Sequence, residues 1–210
     1  MIKVLIADDH SILRSGLRKI LNEEVDIEIS GEAANHNEVL TSLSEKIPDI
    51  VLLDISMPGR DGLDTLKEIK INYPKLNVLI LSMHPEDRYA VRAIKAGAAG
   101  YVSKEGATEE LVKAIRSIGD GRKYISNALA EKMAMYYKTE LDMPAHELLS
   151  DREFQVLCKI ASGKTVIEIG ETLSISPSTV ATYRARILAK LHLKLDSELT
   201  AYALKNNLVD

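Results

Sequence analysis

The stretch Asp49-Ile50-Val51-Leu52-Leu53-Asp54-Ile55-Ser56-Met57-Pro58-Gly59 constrains this chain more than any other. Four consecutive apolar residues run straight into an aspartate, and a Met-Pro-Gly turn follows. An uninterrupted apolar run of strand length is the pattern of a strand in a parallel sheet, where helices cover both faces and no residue needs to look at water. Asp54 then stands at the carboxyl end of that strand, the edge on which open α/β sheets place their ligands.

The flanking segments repeat the theme. Ile2–Ala7 reads as a buried strand ending in Asp8-Asp9, and from Ser11 a helix follows with Ile12, Leu13, Leu17, Ile20 and Leu21 inward. Val25–Gly31 alternates like a half-buried strand, and Asn37–Ser44 is a short helix with Val39, Leu40 and Leu43 inward. After the Asp54 strand come a helix from Asp61 to Asn72, a strand Asn77–Ser82, and a helix from Pro85 stopped by Gly97. A short strand Ala99–Ser103 and a helix capped by Thr108 and ending near Gly119 complete the series. Five strands alternating with five helices predict an α/β doubly wound five-stranded parallel sheet, flavodoxin-like, over residues 1–119.

Residues 120–148 interrupt this pattern with Gly121, Pro144 and a polar run, and are assigned as a linker containing a helix over Asn127–Tyr137. Beyond it the helix signals become explicit. Ser150-x-x-Glu153 and Thr165-x-x-Glu168 are capping boxes, and Leu149 with Phe154 occupies the two positions of a hydrophobic staple. Ser174-Ile175-Ser176 is a tight turn into Pro177 at a helix's first position, and that helix carries Val180, Tyr183, Ile187 and Leu191 on one face. Asp196 or Ser197 caps a last helix. Residues 149–210 thus predict an all-α four-helix domain of helix-turn-helix type.

Composition bounds the rest. A length of 210 residues suits two domains of about 100 residues each. A net charge of −4 argues against a protein that coats nucleic acid with its whole surface. Cys158 is the only cysteine, so no disulfide framework is available, and its apolar helical neighbours suggest a buried structural thiol. No apolar run reaches the ~20 residues of a membrane span and the N-terminus has no signal-peptide pattern, so the expectation is a cytoplasmic protein without membrane contact. His10, His36, His84, His146 and His192 are dispersed, which predicts no transition-metal site.

The strand ends carry the chemistry. Asp8, Asp9 and Asp54, brought to one sheet edge, repel by about 3 kcal/mol per pair at ~5 Å and an effective dielectric of ~20. Such a cluster persists if it binds a divalent cation, and oxygen ligands with open positions suit Mg2+. Asp9 and Asp54 are the direct ligands in this reading, beside the backbone carbonyl of Ser56, with Asp8 acting through water. The Asp54 carboxylate is then placed to attack phosphorus in line, Lys104 to contact the transferred oxygens as a point charge, and the Ser82 hydroxyl to donate to them.

Taken together, Asp8-Asp9, Asp54, Ser82 and Lys104, with Met57-Pro58 and Gly62, resemble the receiver domain of two-component response regulators, over residues 1 to about 120. The resemblance implies phosphotransfer from a sensor histidine kinase to Asp54, Mg2+ dependence and slow self-catalysed hydrolysis. It puts Tyr101 at the position of a switch aromatic that turns inward as Ser82 moves. Where the family often carries a proline after the lysine, Glu105 follows Lys104. Ser56 and His84, each two residues past a key position, are expected to flank the path of the hydrolytic water.

Leu149-Ser150-Asp151-Arg152-Glu153, Val156-Leu157, Ala161-x-Gly163, Ile169, Leu173, Ile175-Ser176, Thr179-Val180 and Leu188-x-x-Leu191 resemble the LuxR-type helix-turn-helix domain of the NarL/FixJ class. This implies a transcriptional regulator that binds double-stranded promoter DNA, usually as a homodimer. Helix Pro177–Leu191 is the recognition helix, with Ser178, Thr179, Ala181, Thr182, Arg184, Ala185, Arg186 and Lys190 as the expected DNA contacts. From Thr172 through Leu195 there are four Lys/Arg and no Asp/Glu, a local basic stripe suited to phosphates. Ala181 and Tyr183 stand where relatives commonly carry Lys and His, so a target sequence does not transfer. The leading reading is a phosphorylation-switched regulator and not an enzyme beyond its own phosphotransfer and dephosphorylation. The alternatives are a Mg2+-dependent phosphohydrolase with Asp54 as nucleophile, which would lack the second aspartate at residue 56, and a DNA-binding regulator independent of phosphate.

Overall fold

A computed structural model describes residues 1–57, 62–82, 86–104, 108–126, 129–131 and 144–209. The chain divides into two compact units, Met1–Ala130 and Glu131–Asp210.

In the first unit, strands β1 (Ile2–Ala7), β2 (Ile27–Ala33), β3 (Ile50–Asp54), β4 (Asn77–Ser82) and β5 (Gly100–Ser103) form one sheet in the order β2-β1-β3-β4-β5. Every pairing is parallel. Helices α1 (Ser11–Asn22), α2 (His36–Glu45), α3 (Gly62–Asn72), α4 (Glu86–Lys95) and α5 (Thr108–Gly119) alternate with the strands. Because side chains alternate along a strand, Val4, Ile6, Ile50, Leu52, Leu79 and Leu81 line one face, where they pack with Leu17 and Leu21 of α1 and Leu111, Ile115 and Ile118 of α5. The intervening residues Leu5, Val51, Leu53, Ile80 and Tyr101 are equally buried. β3 is buried at all five positions, as its apolar run requires. Each leucine sealed this way contributes about 1.5–3 kcal/mol from desolvation.

Two apolar assignments fail. Ile12 is 88% exposed and Val25 is 92% exposed, so neither belongs to the core. Ile12 lies one residue from Leu13, and a helix cannot aim neighbours at 100° to the same face. Val25 precedes β2, whose pairing with β1 begins at Ile27 and runs to Ala33. The chain after α5 stays with the sheet: the Tyr124 amide donates to the Ala99 carbonyl at 2.9 Å, and Tyr124 bridges Gly100 as a further parallel contact.

In the second unit a 3₁₀ turn, Ala145–Leu148, precedes α6 (Asp151–Ala161), α7 (Val166–Leu173), α8 (Pro177–Lys190) and α9 (Asp196–Lys205). Both capping boxes form. Ser150 and Glu153 satisfy each other's backbone amides at 3.3 and 2.7 Å, and Thr165 and Glu168 do the same at 3.3 and 2.7 Å. The staple residues Leu149 and Phe154 are buried, with Val156, Leu157, Ile169, Val180, Ile187 and Leu199 around them. Cys158, expected in the core, is half-buried. The last helix begins one residue earlier in register than expected: Leu195 is the cap position, and the Glu198 carboxylate accepts from the amides of Lys194 at 2.7 Å and Leu195 at 3.0 Å. The helix expected over Asn127–Tyr137 falls mostly outside the described residues, as do Pro58, Gly59, His84 and Glu105.

Candidate phosphoacceptor pocket and nucleic-acid interface

The sheet order reverses direction between β1 and β3, and the crevice outside the carboxyl ends of strands at that point is where doubly wound sheets bind ligands. β1 ends at Ala7 and delivers Asp8 and Asp9 there, β3 delivers Asp54, β4 delivers Ser82, and β5 leads into Lys104. The five residues named from sequence therefore come to one edge of the sheet.

Lys104 lies at the centre. Its Nζ is 2.7 Å from Asp8 Oδ2 and 2.8 Å from Asp54 Oδ2, with all three side chains at most 2% exposed. These contacts are ion pairs at short range without hydrogen-bond alignment, and Lys104 Nζ, Asp8 Oδ2 and Asp54 Oδ2 are otherwise sealed from solvent. The remaining oxygens are used by the backbone. Asp8 Oδ1 accepts from the His10 amide at 2.8 Å, and Asp54 Oδ1 accepts from the Ser56 amide at 3.1 Å. The Arg14 guanidinium donates to the Asp8 carbonyl from α1. The Lys104 amide donates to the Ser82 carbonyl at 2.7 Å, which ties the lysine to the end of β4.

Electrostatics here are finely opposed. Burial pushes the Asp54 carboxyl above its ordinary value, and the neighbouring Asp8 adds to the rise, while Lys104 and the Ser56 amide pull it back. One positive charge thus serves two buried carboxylates, with Asp9 a third acid beside them. One ligand atom from each of Asp8, Asp9, His10 and Asp54 lies within 4.8 Å of all the others. Three anionic groups against one ammonium, with buried carboxylate oxygens lacking aligned donors, fit the requirements of a divalent cation.

His10 is the residue sequence reasoning set aside. Its Nδ1 is 2.9 Å from Asp9 Oδ1 and 3.5 Å from Asp8 Oδ1. Its position directly after Asp8-Asp9 was a usable signal, since only one peptide separates it from the pocket. Ser82 and Tyr101 are fully buried, and Ile80, two residues before Ser82, pairs with Tyr101 across β4 and β5. Ser56 is exposed at the pocket edge.

The approach of α3 to this edge depends on Gly62. A Cβ there would collide with the Asp54 carbonyl oxygen and stand 2.6 Å from the Ile55 Cα, while the Gly62 amide donates to the Ile55 carbonyl at 2.8 Å. Glycine at 62 lets α3 start against the backbone of the strand end that bears Asp54.

In the second unit the helix-turn-helix turn is set by Ser174, which adopts a left-handed conformation at φ 53°, and by the Ile175 amide donating to the Gly170 carbonyl at 2.9 Å. A Cβ at residue 170 would approach the Ile175 carbonyl oxygen to 2.8 Å, so this turn needs glycine, a requirement that carried no local sequence signal. The Ser176 side chain caps α8 by accepting from the Thr179 amide at 3.1 Å. Along α8, Ser178, Ala181, Thr182, Ala185 and Arg186 are exposed and Thr179 is half-buried.

Two of the three cations among the expected DNA contacts have acidic partners within the unit. Arg184 Nε is 2.6 Å from Asp196 Oδ1, joining α8 to the start of α9. Lys190 Nζ is 2.6 Å from Glu153 Oε2 and donates to the Leu148 carbonyl at 3.2 Å. Burial raises the Glu153 carboxyl, but donation from Lys190 and from Ser150 outweighs it and holds the group below its usual range. Arg186 has no ion pair among the described residues and is the cation of α8 left to face outward.

Comparison with known proteins agrees with this architecture. Residues 4–116 match the response regulator receiver domain, and residues 147–203 match the family of bacterial regulatory proteins of luxR type. The chain is 38% identical over 212 residues to the response regulator UvrY of Escherichia coli (strain K12), covering 99% of this chain and 96% of the relative. It is 37% identical over 212 residues to the response regulator GacA of Pseudomonas aeruginosa PAO1, covering 100% and 99%. Among solved structures, RcsB of Salmonella enterica serovar Typhimurium, bound to promoter rprA in the presence of the phosphomimetic BeF3-, is similar with a TM-score of 0.68 and 28% identity over 96% of this chain and 98% of that one. Among the described residues no helix is long and apolar enough to cross a membrane. With a receiver sheet that gathers Asp8, Asp9, Asp54 and Lys104 at one edge, followed in the sequence by a LuxR-type helical unit, the chain belongs to the two-component response regulators that carry a LuxR-family DNA-binding domain.

Proposed function

We propose that this response regulator accepts a phosphoryl group on Asp54 from a sensor histidine kinase in the cytoplasm, and that the modified protein binds promoter DNA as a homodimer. The observation that carries the reading is the buried Asp54 carboxylate held at 2.8 Å by Lys104, beside Asp8 and Asp9, in a chain whose other unit is a helix-turn-helix domain. In the transfer, an Asp54 carboxylate oxygen forms a bond to phosphorus as the bond from phosphorus to the kinase nitrogen breaks, and the electron pair returns to that nitrogen. Asp9, Asp54 and the Ser56 carbonyl, with Asp8 behind them, would hold a Mg2+ ion, which when bound would supply charge neutralisation. Lys104 exchanges its contact with the free carboxylate for the new phosphoryl oxygens. The added charge draws the Ser82 hydroxyl toward the phosphoryl group, and Tyr101, already buried, is locked in the same movement. Catalysis by the receiver is limited to its own phosphorylation and slow dephosphorylation.

Residues 1–119 form the receiver in this account, 120–148 join it to the reader, and 149–210 read DNA. Ser178, Thr179, Ala181, Thr182 and Ala185 meet base edges or sugar-phosphate, Arg186 meets phosphate, and Arg184 and Lys190 chiefly hold the recognition helix in place. RcsB was solved on a promoter in the presence of a phosphomimetic, and a coupling of acid pocket to DNA is proposed for this chain. Mapping bound DNA across the genome in cells carrying wild-type protein or Asp54→Asn tests it. Sites occupied by the wild type lose occupancy in the variant. Equal occupancy would remove the switch and leave a phosphate-independent binder.

A further inference from the structure

We propose that His10 is a nitrogen ligand of the divalent-cation site, which raises the affinity of that site for the later first-row ions relative to Mg2+. The inference rests on the acid pocket binding a cation, and it concerns which cation.

The partners of each pocket atom lead to it. Asp8 is used on both oxygens, Oδ1 by the His10 amide at 2.8 Å and Oδ2 by Lys104 at 2.7 Å. Asp54 is used on Oδ1 by the Ser56 amide at 3.1 Å and on Oδ2 by Lys104 at 2.8 Å. Asp9 Oδ1 is buried, and its close neighbour among the described residues is His10 Nδ1 at 2.9 Å. That contact lacks hydrogen-bond alignment, so the imidazole is not aimed at the carboxylate as a donor at its acceptor. Two atoms that share an octahedral ion with bonds of ~2.1 Å are about 3.0 Å apart along an edge. The Asp9–His10 spacing of 2.9 Å matches that of adjacent ligands on one ion, and Asp54 supplies a further oxygen within 4.8 Å. The ring itself stays 65% exposed, so it can turn onto an ion without breaking into the core.

The ligand set decides the preference. An all-oxygen site suits Mg2+, whose compact hard ion takes carboxylates, carbonyls and water. Imidazole suits Mn2+ weakly and Co2+, Ni2+ and Zn2+ strongly, following the rising order of divalent affinity. Substitution of one oxygen by one nitrogen therefore raises the affinity for the later ions with little change for Mg2+. The local constraint is also favourable: the His10 amide is fixed on Asp8, so backbone and side chain of one residue address two of the pocket's acids.

The test measures affinity and ligation directly, with full-length protein at a pH where imidazole is neutral. Co2+ and Mg2+ are titrated separately into wild type, His10→Gln and Asp54→Asn. Pulsed electron paramagnetic resonance on the Mn2+-loaded protein reads nitrogen coupled to the metal, and uniform 15N-histidine labelling identifies it. The expected result is a loss of about tenfold or more in Co2+ affinity in His10→Gln, the scale on which even supporting partners change metal binding. Mg2+ affinity stays within about twofold and the nitrogen coupling disappears. Equal losses for Co2+ and Mg2+ would reduce His10 to a positioner of Asp9, and unchanged nitrogen coupling in the variant would exclude it as a ligand. Failure of the wild type to bind either ion, or binding unaffected by Asp54→Asn, would overturn the pocket as a cation site altogether. Cation binding lost in Asp54→Asn but indifferent to His10 would overturn this inference alone.

Discussion

Gly62 opens α3 directly against the main chain of Asp54: its amide donates to the Ile55 carbonyl at 2.8 Å, and a methyl group in place of its hydrogen would strike the Asp54 carbonyl oxygen. The strand end that bears the Asp54 carboxylate and the helix beside it are therefore fixed by a contact that only glycine permits. Gly62→Ala must push α3 away or rotate the strand end. We expect a loss of about 3 kcal/mol in the stability of the receiver unit, toward the upper end of overpacking costs, together with slower phosphoryl uptake. Urea unfolding followed by far-ultraviolet circular dichroism checks the first, and intact mass with time checks the second.

Lys104→Met leaves Asp8 and Asp54 buried without their shared cation. Breaking such a pair costs about 3–5 kcal/mol when the remaining charge stays ionised. The Asp54 carboxyl, already raised by burial, rises further once the opposing lysine is gone. A carboxyl whose folded value lies above its unfolded one costs nothing while protonated in both states and costs progressively more as pH climbs through the interval between them. The penalty in Lys104→Met is therefore small in acid and grows as pH rises, which denaturation midpoints at a series of pH values will show.

Arg116 in α5 binds Asp26, ahead of β2, through two hydrogen bonds at 2.8 and 2.7 Å, and Glu24 at 2.6 Å. Its hydrogen bond lowers Asp26 from 3.8 to about 2. A depressed carboxyl contributes stability that is complete above its unfolded value of 3.8 and is lost as pH falls toward about 2. Both groups are exposed, so salt screens the effect. Carbon-13 titration of the Asp26 carboxyl in Arg116→Ala should return it close to 3.8, and an unchanged midpoint would show that the bridge does not persist in solution.

Arg186 and Lys190 are separated by their partners. Lys190 is committed to Glu153 and the Leu148 carbonyl, whereas Arg186 is exposed on α8. Arg186→Ala should weaken DNA binding uniformly and reduce the slope of log affinity against log salt by about one. Lys190→Ala should leave that slope in place and lower the melting temperature of the helical unit, because it leaves a buried carboxylate behind. Titrations at several salt concentrations distinguish the two.

What could be read from the sequence was local. The β3 run, the two capping boxes and Pro177 at a helix start each depend on residues within four positions of one another, and each formed as expected. Ile12 and Val25 were misassigned because apolarity alone does not say which of two neighbours faces inward. The sharing of Lys104 between Asp8 and Asp54, the commitment of Lys190 to Glu153 and the demand for glycine at 170 arise from residues distant in sequence or from backbone proximity, and no periodicity records them. The acid pocket was legible only as a set of strand ends whose convergence the parallel sheet supplies.

The central claim concerns Asp54 itself. Incubation of the full chain with acetyl phosphate and Mg2+, followed by intact mass measurement, should show one added phosphoryl group on the wild type and none on Asp54→Asn. The same mass gain on both proteins, or none on either, would contradict the account.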